Sequence, residues 1–290
     1  MKPHIDQLIS VCSKKDAATW KIASPYIAKN ISSSIYSVIV PEDEIEFFKN
    51  ISPSSFNVIG ESLLADQFSG EIKSRLSEKT KSQYGWYLQQ FLKLAAANDC
   101  LPNETVLIWD ADTIPLKPLT FMDEKSRLIF YQSDEYHQPY FDFISRLLGL
   151  EKKVAFSFIA QCFVMKAAWL QQFCNELEIK YQKPWIKVLL ENINFDEGNG
   201  FSEYETLGTY FSYHYADSIA FTKNKWLRLG NSTVGSAVFL SPKLIKKKLS
   251  LYDFVSFEKW DKAKPYFLKV TAPFFLKVFL PSLFKFNSKT

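Results

Sequence analysis

Glycine is scarce in this sequence, nine among 290 residues, which excludes a flexible low-complexity scaffold. Cysteine is equally sparse. Cys12, Cys100, Cys162 and Cys174 form no C-x-x-C pair and read as reduced, packed thiols of a cytosolic protein. Long apolar runs are missing as well: the run over residues 8–11 meets Lys14-Lys15 at once, so no secretory signal is expected. Residues 266–286 are very apolar but carry Lys269, Pro273, Lys277 and Pro281, which argues against a spanning helix of about 20 apolar residues. No large excess of one charge exists either, the formal net charge being +4, and no nucleic-acid partner is expected. What is abundant is hydrophobic matter, 47% overall with 16% aromatic, enough for one substantial core. One main domain over residues 1–240 is expected, followed by a basic, aromatic helical tail over 241–290.

Along the chain, short apolar segments alternate with helical ones. Residues 5–12 are apolar, 13–16 are a polar loop, and 17–29 have helical composition. Residues 34–40, SIYSVIV, are rich in β-branched side chains and stop at Pro41; 43–49 suit a short helix and 56–59 another strand. This alternation favours an α/β sheet with helices on its faces. From Ser82, Tyr87, Phe91 and Leu94 recur at helix spacing, Leu88 and Leu92 widen the stripe, and Leu101-Pro102 ends it. Residues 106–109 are four consecutive apolar residues, as in a central strand covered on both faces. A second strand is expected over 156–165, a helix over 167–178, a loop over 196–200, and a further helix from Ser202.

Directly after the buried strand comes Asp110-Ala111-Asp112, and Pro115 and Pro118 limit regular structure beyond it. An Asp-x-Asp triplet alone is weak evidence, and a cap at Asp110 with an Asx-turn at Asp112 would explain it structurally. Its position says more. In open α/β sheets ligands bind outside the carboxyl ends of strands. Two carboxylates placed there repel each other without a cation, and they suit a hard divalent ion that completes its shell with substrate phosphates.

LIWDADTIPL resembles the metal-binding motif of the GT-A class of nucleotide-sugar glycosyltransferases. Together with SKKDA at 13–17, VIVPEDE at 38–44, GWYLQQFLKL at 85–94, FSFIAQCFVM at 156–165 and FSEYETLGTYF at 201–211, it resembles a bacterial family in that class. The resemblance spans about residues 5–230. It implies a GT-A-like, Rossmann-type mixed sheet flanked by helices, a nucleotide-sugar donor and Mn²⁺ or Mg²⁺. It also implies a metal-diphosphate role for Asp110 and Asp112, a nucleotide-side role for Asp16, and a wall-lining helix carrying Gln90 and Lys93. No clear C-terminal His motif supplies a further ligand, and His214 is only a weak candidate.

Other residues have competing readings. Gln90 and Lys93 share a helix face where Lys93 could meet a phosphate, although a solvated face would look the same. Ser157, Ile159 and Gln161 would alternate along one strand face, lining either an acceptor pocket or solvent. Ser202 and Glu205 fit a capping box in which Glu205 reaches back to its own helix N-terminus. That leaves Glu203 as the candidate general base for an attacking acceptor hydroxyl, with Glu205 as fallback. His137 and Tyr140, in an aromatic cluster after the motif, are candidates for acceptor binding. Lysines and aromatics interleave from Lys246 through Lys259, Trp260 and Phe286, a composition suited to a lipid headgroup boundary.

The expectation is a metal-dependent glycosyltransferase, hexosyltransferase-like, that moves a sugar from a nucleotide-sugar, UDP-sugar favoured, to a glycan or lipid-linked acceptor in bacterial surface polysaccharide synthesis. It would be cytoplasmic, with peripheral contact to the inner membrane face. A metal-dependent nucleotidyltransferase and a non-catalytic membrane-associated binding protein are the alternatives.

Overall fold

The computed structural model describes residues 4–222 and 225–263. Its first half is β1 (Ile5–Val11), α1 (Ala17–Asn30), β2 (Ser33–Val40), α2 (Ile45–Ile51), β3 (Phe56–Gly60), α3 (Ser62–Ala65), α4 (Ser69–Arg75), α5 (Tyr84–Asn98) and β4 (Thr105–Trp109). After it come β5 (Thr113–Pro115), β6 (Leu128–Tyr131), α6 (Gln138–Leu148), β7 (Cys162–Lys166), α7 (Ala167–Tyr181), α8 (Trp185–Asn192), α9 (Glu203–His214), β8 (Ile219–Thr222), β9 (Trp226–Leu227) and β10 (Phe254–Ser256).

The main sheet has the order β3-β2-β1-β4-β7, parallel except for the antiparallel β4–β7 pair. It is the helix-flanked α/β sheet that the alternation predicts, and it is mixed, as the resemblance implies. All five residues of β4 are buried, as their unbroken apolar run requires of a strand covered on both faces. From β1 the chain builds outward through β2 and β3, then returns to place β4 on the other side of β1. The order therefore reverses between β1 and β4, and in open α/β sheets the loops leaving the carboxyl ends at such a reversal flank the ligand crevice.

The structure revises the region expected as a strand over 156–165. Only Cys162–Lys166 pairs with β4; Ser157 instead exchanges backbone hydrogen bonds with Ser133, 2.8 Å each way, and Gln161 sits at φ +61°. The strict alternation assumed for Ser157, Ile159 and Gln161 is lost with the strand. Phe158 packs against Gly208 of α9, where a Cβ would lie 2.2 Å from its ring, so only glycine permits that approach.

The end of the described chain is also part of this body. β10 pairs antiparallel with β5, and Phe254, Val255, Ser256 and Phe257 are buried. Residues 264–290, where most of the expected lipid-facing aromatics fall, lie outside the described residues. Among the described residues no helix is long and apolar enough to cross a membrane.

Candidate active site

The β4 strand ends in the crevice, where the Asp110 N–H donates to the Gln161 carbonyl at 3.0 Å. The half-buried Asp110 carboxylate has an internal cation. Its Oδ1 accepts from Lys93 Nζ at 2.6 Å and from the Tyr204 hydroxyl at 2.7 Å. Lys93, on α5, also donates to Glu203 Oε1 at 2.9 Å and lies 4.8 Å from the centre of the Tyr204 ring. Burial opposes charge on this ammonium, but Asp110 and Glu203 outweigh it and hold its pKa above the ordinary lysine value. Such a buried triad depends on every member, because removing one leaves a charge uncompensated.

Asp112 is in the opposite position. Among the described residues its carboxylate accepts one hydrogen bond, a long one, 3.4 Å, from the Thr113 hydroxyl. Burial, then Asp110, Glu258 and Asp16, push its carboxyl up to about 8, with Lys93 opposing. The other acids nearby have their own cations. Asp16 pairs with Lys259 at 2.8 Å, and Glu258 accepts from Arg228 Nε at 2.6 Å and from Gln161 Nε2 at 3.3 Å. Arg228 also pairs with Glu135, and its guanidinium lies 5.4 Å from the centre of the Trp260 ring.

This donor set fits a divalent cation. Oδ2 of Asp110 makes no hydrogen bond among the described residues, and the carboxyl of Asp112 is held in a field of like charge that a cation would relieve. Among the described residues no group of three or more His, Cys, Asp or Glu side chains is placed to hold a metal alone. A cation here takes the rest of its shell from water and ligand oxygens, as Mg²⁺ commonly does.

Asp16, Lys93, Asp110, Asp112, Gln161 and Glu203 thus come together around the crevice, while other expected residues have different partners. Gln90 does not line a wall: it is buried, and its Oε1 accepts the Glu203 N–H at 3.0 Å, fixing the start of α9. Lys93 is buried rather than on a solvated face. Glu203 is 4% exposed and turned toward Lys93, so proton abstraction from an acceptor would require that pair to open. Glu205 forms only half of the expected capping box. Its N–H meets Ser202 Oγ at 3.3 Å, but its carboxylate turns away to accept the Phe158 N–H at 3.0 Å and to pair with Lys152.

Ser157 is buried, its hydroxyl accepting the Ile159 N–H. His137 Nε2 lies 3.0 Å from the Gly198 carbonyl, and the buried Tyr140 lies between the rings of Trp86 and His137. His214 stands at the far end of α9. Sequence reasoning missed Tyr204, Arg228 and Glu258. Tyr204 stands beside Glu203 within a quoted motif, whereas Arg228 and Glu258 carry no local signal.

The model of a family of unknown function, DUF6492, matches residues 22–274. The sequence matches none of the curated proteins. Among solved structures, mouse xyloside xylosyltransferase 1 in its apo form is similar with a TM-score of 0.48 at 12% identity, over 90% of this chain and 100% of that one. The galactosyltransferase LgtC in complex with donor and acceptor sugar analogues is similar with a TM-score of 0.45 at 9% identity, over 92% of this chain and 95% of that one.

Proposed function

We propose that this chain, which belongs to the family of unknown function DUF6492, is a metal-dependent glycosyltransferase that uses a nucleotide-sugar, a uridine diphosphate sugar being favoured. The observation that carries this reading is Asp112: a carboxylate at the strand-order reversal, facing Asp110, Glu258 and Asp16 and in no ion pair among the described residues. Asp110 and Asp112 would hold Mn²⁺ or Mg²⁺, which supplies charge neutralisation at the diphosphate of the donor. Lys93, fixed by Glu203, sets the orientation of Asp110 by donating to Oδ1 and leaves Oδ2 for the ligand. Asp16 and Lys259 form the β1 side of the crevice, with Gln161, Glu258 and Arg228 on the β7 and β9 side.

The acceptor is a glycan or glycolipid in bacterial surface polysaccharide synthesis, with His137 and Tyr140 on its side and Glu203 as base once its pairing with Lys93 opens. The lysines and aromatics beyond residue 263 suit peripheral contact with the inner face of the cytoplasmic membrane. A melting-temperature panel of nucleoside diphosphates and nucleotide-sugars, with and without Mn²⁺, tests the reading. It expects stabilisation that needs both components, and release of free nucleoside diphosphate on turnover. Absence of any metal-dependent shift across the panel refutes it.

A further inference from the structure

The two crevice aspartates differ in how many oxygens they leave for a ligand. An ionised carboxylate oxygen has room for about two donors. On Asp110 Oδ1 both places are taken, by Lys93 Nζ at 2.6 Å and by the Tyr204 hydroxyl at 2.7 Å. Oδ2 accepts no hydrogen bond among the described residues. Asp112 carries no such restriction, its carboxylate meeting one long contact from Thr113.

Neither donor on Oδ1 is free to turn away. Lys93 is buried and held between Asp110 and Glu203. Tyr204 is 2% exposed, and its hydroxyl also accepts from Lys93 Nζ at 3.2 Å, so a rotated side chain would leave a buried hydroxyl unpaired. Its ring stacks on Phe163 of β7, 5.7 Å between ring centres at 15°. Phe163 pairs with Ile108 of β4, so the Tyr204 ring is braced against the strand that ends at Asp110.

The consequence is a choice of ion. Mg²⁺ and Mn²⁺ prefer a compact octahedron of oxygens, to which a carboxylate gives one atom, whereas Ca²⁺ takes about 6–8 oxygens and accepts both atoms of one carboxylate. A carboxylate with one oxygen saturated serves the octahedral ions fully and Ca²⁺ only by half. We infer that Tyr204 is a positioning residue that sets ion selectivity: with Lys93 it restricts Asp110 to Oδ2, so the crevice takes Mn²⁺ or Mg²⁺ and discriminates against Ca²⁺. This rests on the reading of Asp110 and Asp112 as metal ligands. Phenylalanine at position 204 keeps the stacked ring and the net charge while freeing one place on Oδ1.

The full chain is titrated with uridine diphosphate in calorimetry, in EDTA and in roughly 10 mM Mn²⁺ or Ca²⁺, which saturates the nucleotide with either ion. The native chain should bind at least about 10-fold more tightly in Mn²⁺ than in Ca²⁺. Tyr204→Phe should narrow that ratio to about 3-fold or less, mainly by tighter binding in Ca²⁺. Tyr204→Met, a second variant without the hydroxyl, gives the same reading if the first does not fold. A purely structural role for Tyr204 would weaken binding in both ions alike and leave the ratio where it was. A native ratio near one, or a ratio unchanged in a folded variant, overturns the inference while leaving the metal site standing. Native affinity equal in EDTA and in either ion overturns the metal reading itself, and this inference with it.

Discussion

Replacing Asp112 by asparagine should make the metal-free protein more stable while destroying its use of a cation. Burial, then Asp110, Glu258 and Asp16, push the Asp112 carboxyl up to about 8. A carboxyl with a raised pKa holds its proton more tightly in the folded chain than in the unfolded one. Its contribution is therefore fully present below the ordinary carboxyl range, near pH 4, and is lost as pH rises toward about 8. Each pH unit across that window costs ~1.4 kcal/mol, which caps the loss at roughly 5 kcal/mol. Solvent reaching the half-buried carboxylate screens much of it, and ~2 kcal/mol is the expected difference at pH 8. Asparagine has no such slope. Urea melts of native and Asp112→Asn chains in EDTA should therefore nearly coincide at pH 4.5 and separate at pH 8, with the variant more stable. Adding Mn²⁺ and uridine diphosphate at pH 8 should reverse the order, because only the native chain gains from the ligand. A variant less stable than native at pH 8 in EDTA, or a difference independent of pH, refutes the reasoning.

Lys93→Met should cost about 3–5 kcal/mol in urea melts, because Asp110 and Glu203 lose their shared ammonium, and adding Glu203→Gln to it should restore part of the loss. Glu203→Gln alone should lower both melting temperature and turnover; lowered turnover at native stability would mean that Glu203 acts as a base and does little to hold Lys93. Glu205→Ala should cost ~2–3 kcal/mol by leaving the buried Phe158 N–H unpaired, with nucleotide affinity retained in calorimetry. Ending the chain after residue 263 keeps Lys259 and Asp261 and should release the protein from anionic liposomes in sedimentation, with metal-dependent nucleotide binding intact.

The sheet was legible wherever the signal was local. The unbroken apolar run before Asp110 could only be a strand covered on both faces, and β4 is that strand. The stripe through Tyr87, Phe91 and Leu94 likewise marked α5. Periodicity identifies the face a helix turns to the sheet, but not what covers the opposite face. Lys93 therefore read as a wall or solvated residue, although α9, 110 positions further on, brings Glu203 onto it. The same blindness hid the partners of Asp16 and Glu205, since Lys259 stands 243 residues from the one and Phe158 stands 47 from the other. The strand over 156–165 was overextended because its apolar composition is also that of a loop packed on Gly208.

The pairing of β5 with β10 sets an order of events during synthesis. Asp112 leaves β4 early in the chain, but its own carbonyl accepts the Phe257 N–H at 2.9 Å, and Glu258 and Lys259 complete the surroundings of the two aspartates. A ribosome adding ~5–20 residues per second will have finished the β1–β4 half long before these last contributors emerge. Until then the two aspartates have no C-terminal flank, and a chain stalled before residue 257 carries the motif without the crevice. Assembly of the site waits on almost the last residues described, so the growing chain has no finished crevice in which to hold a nucleotide.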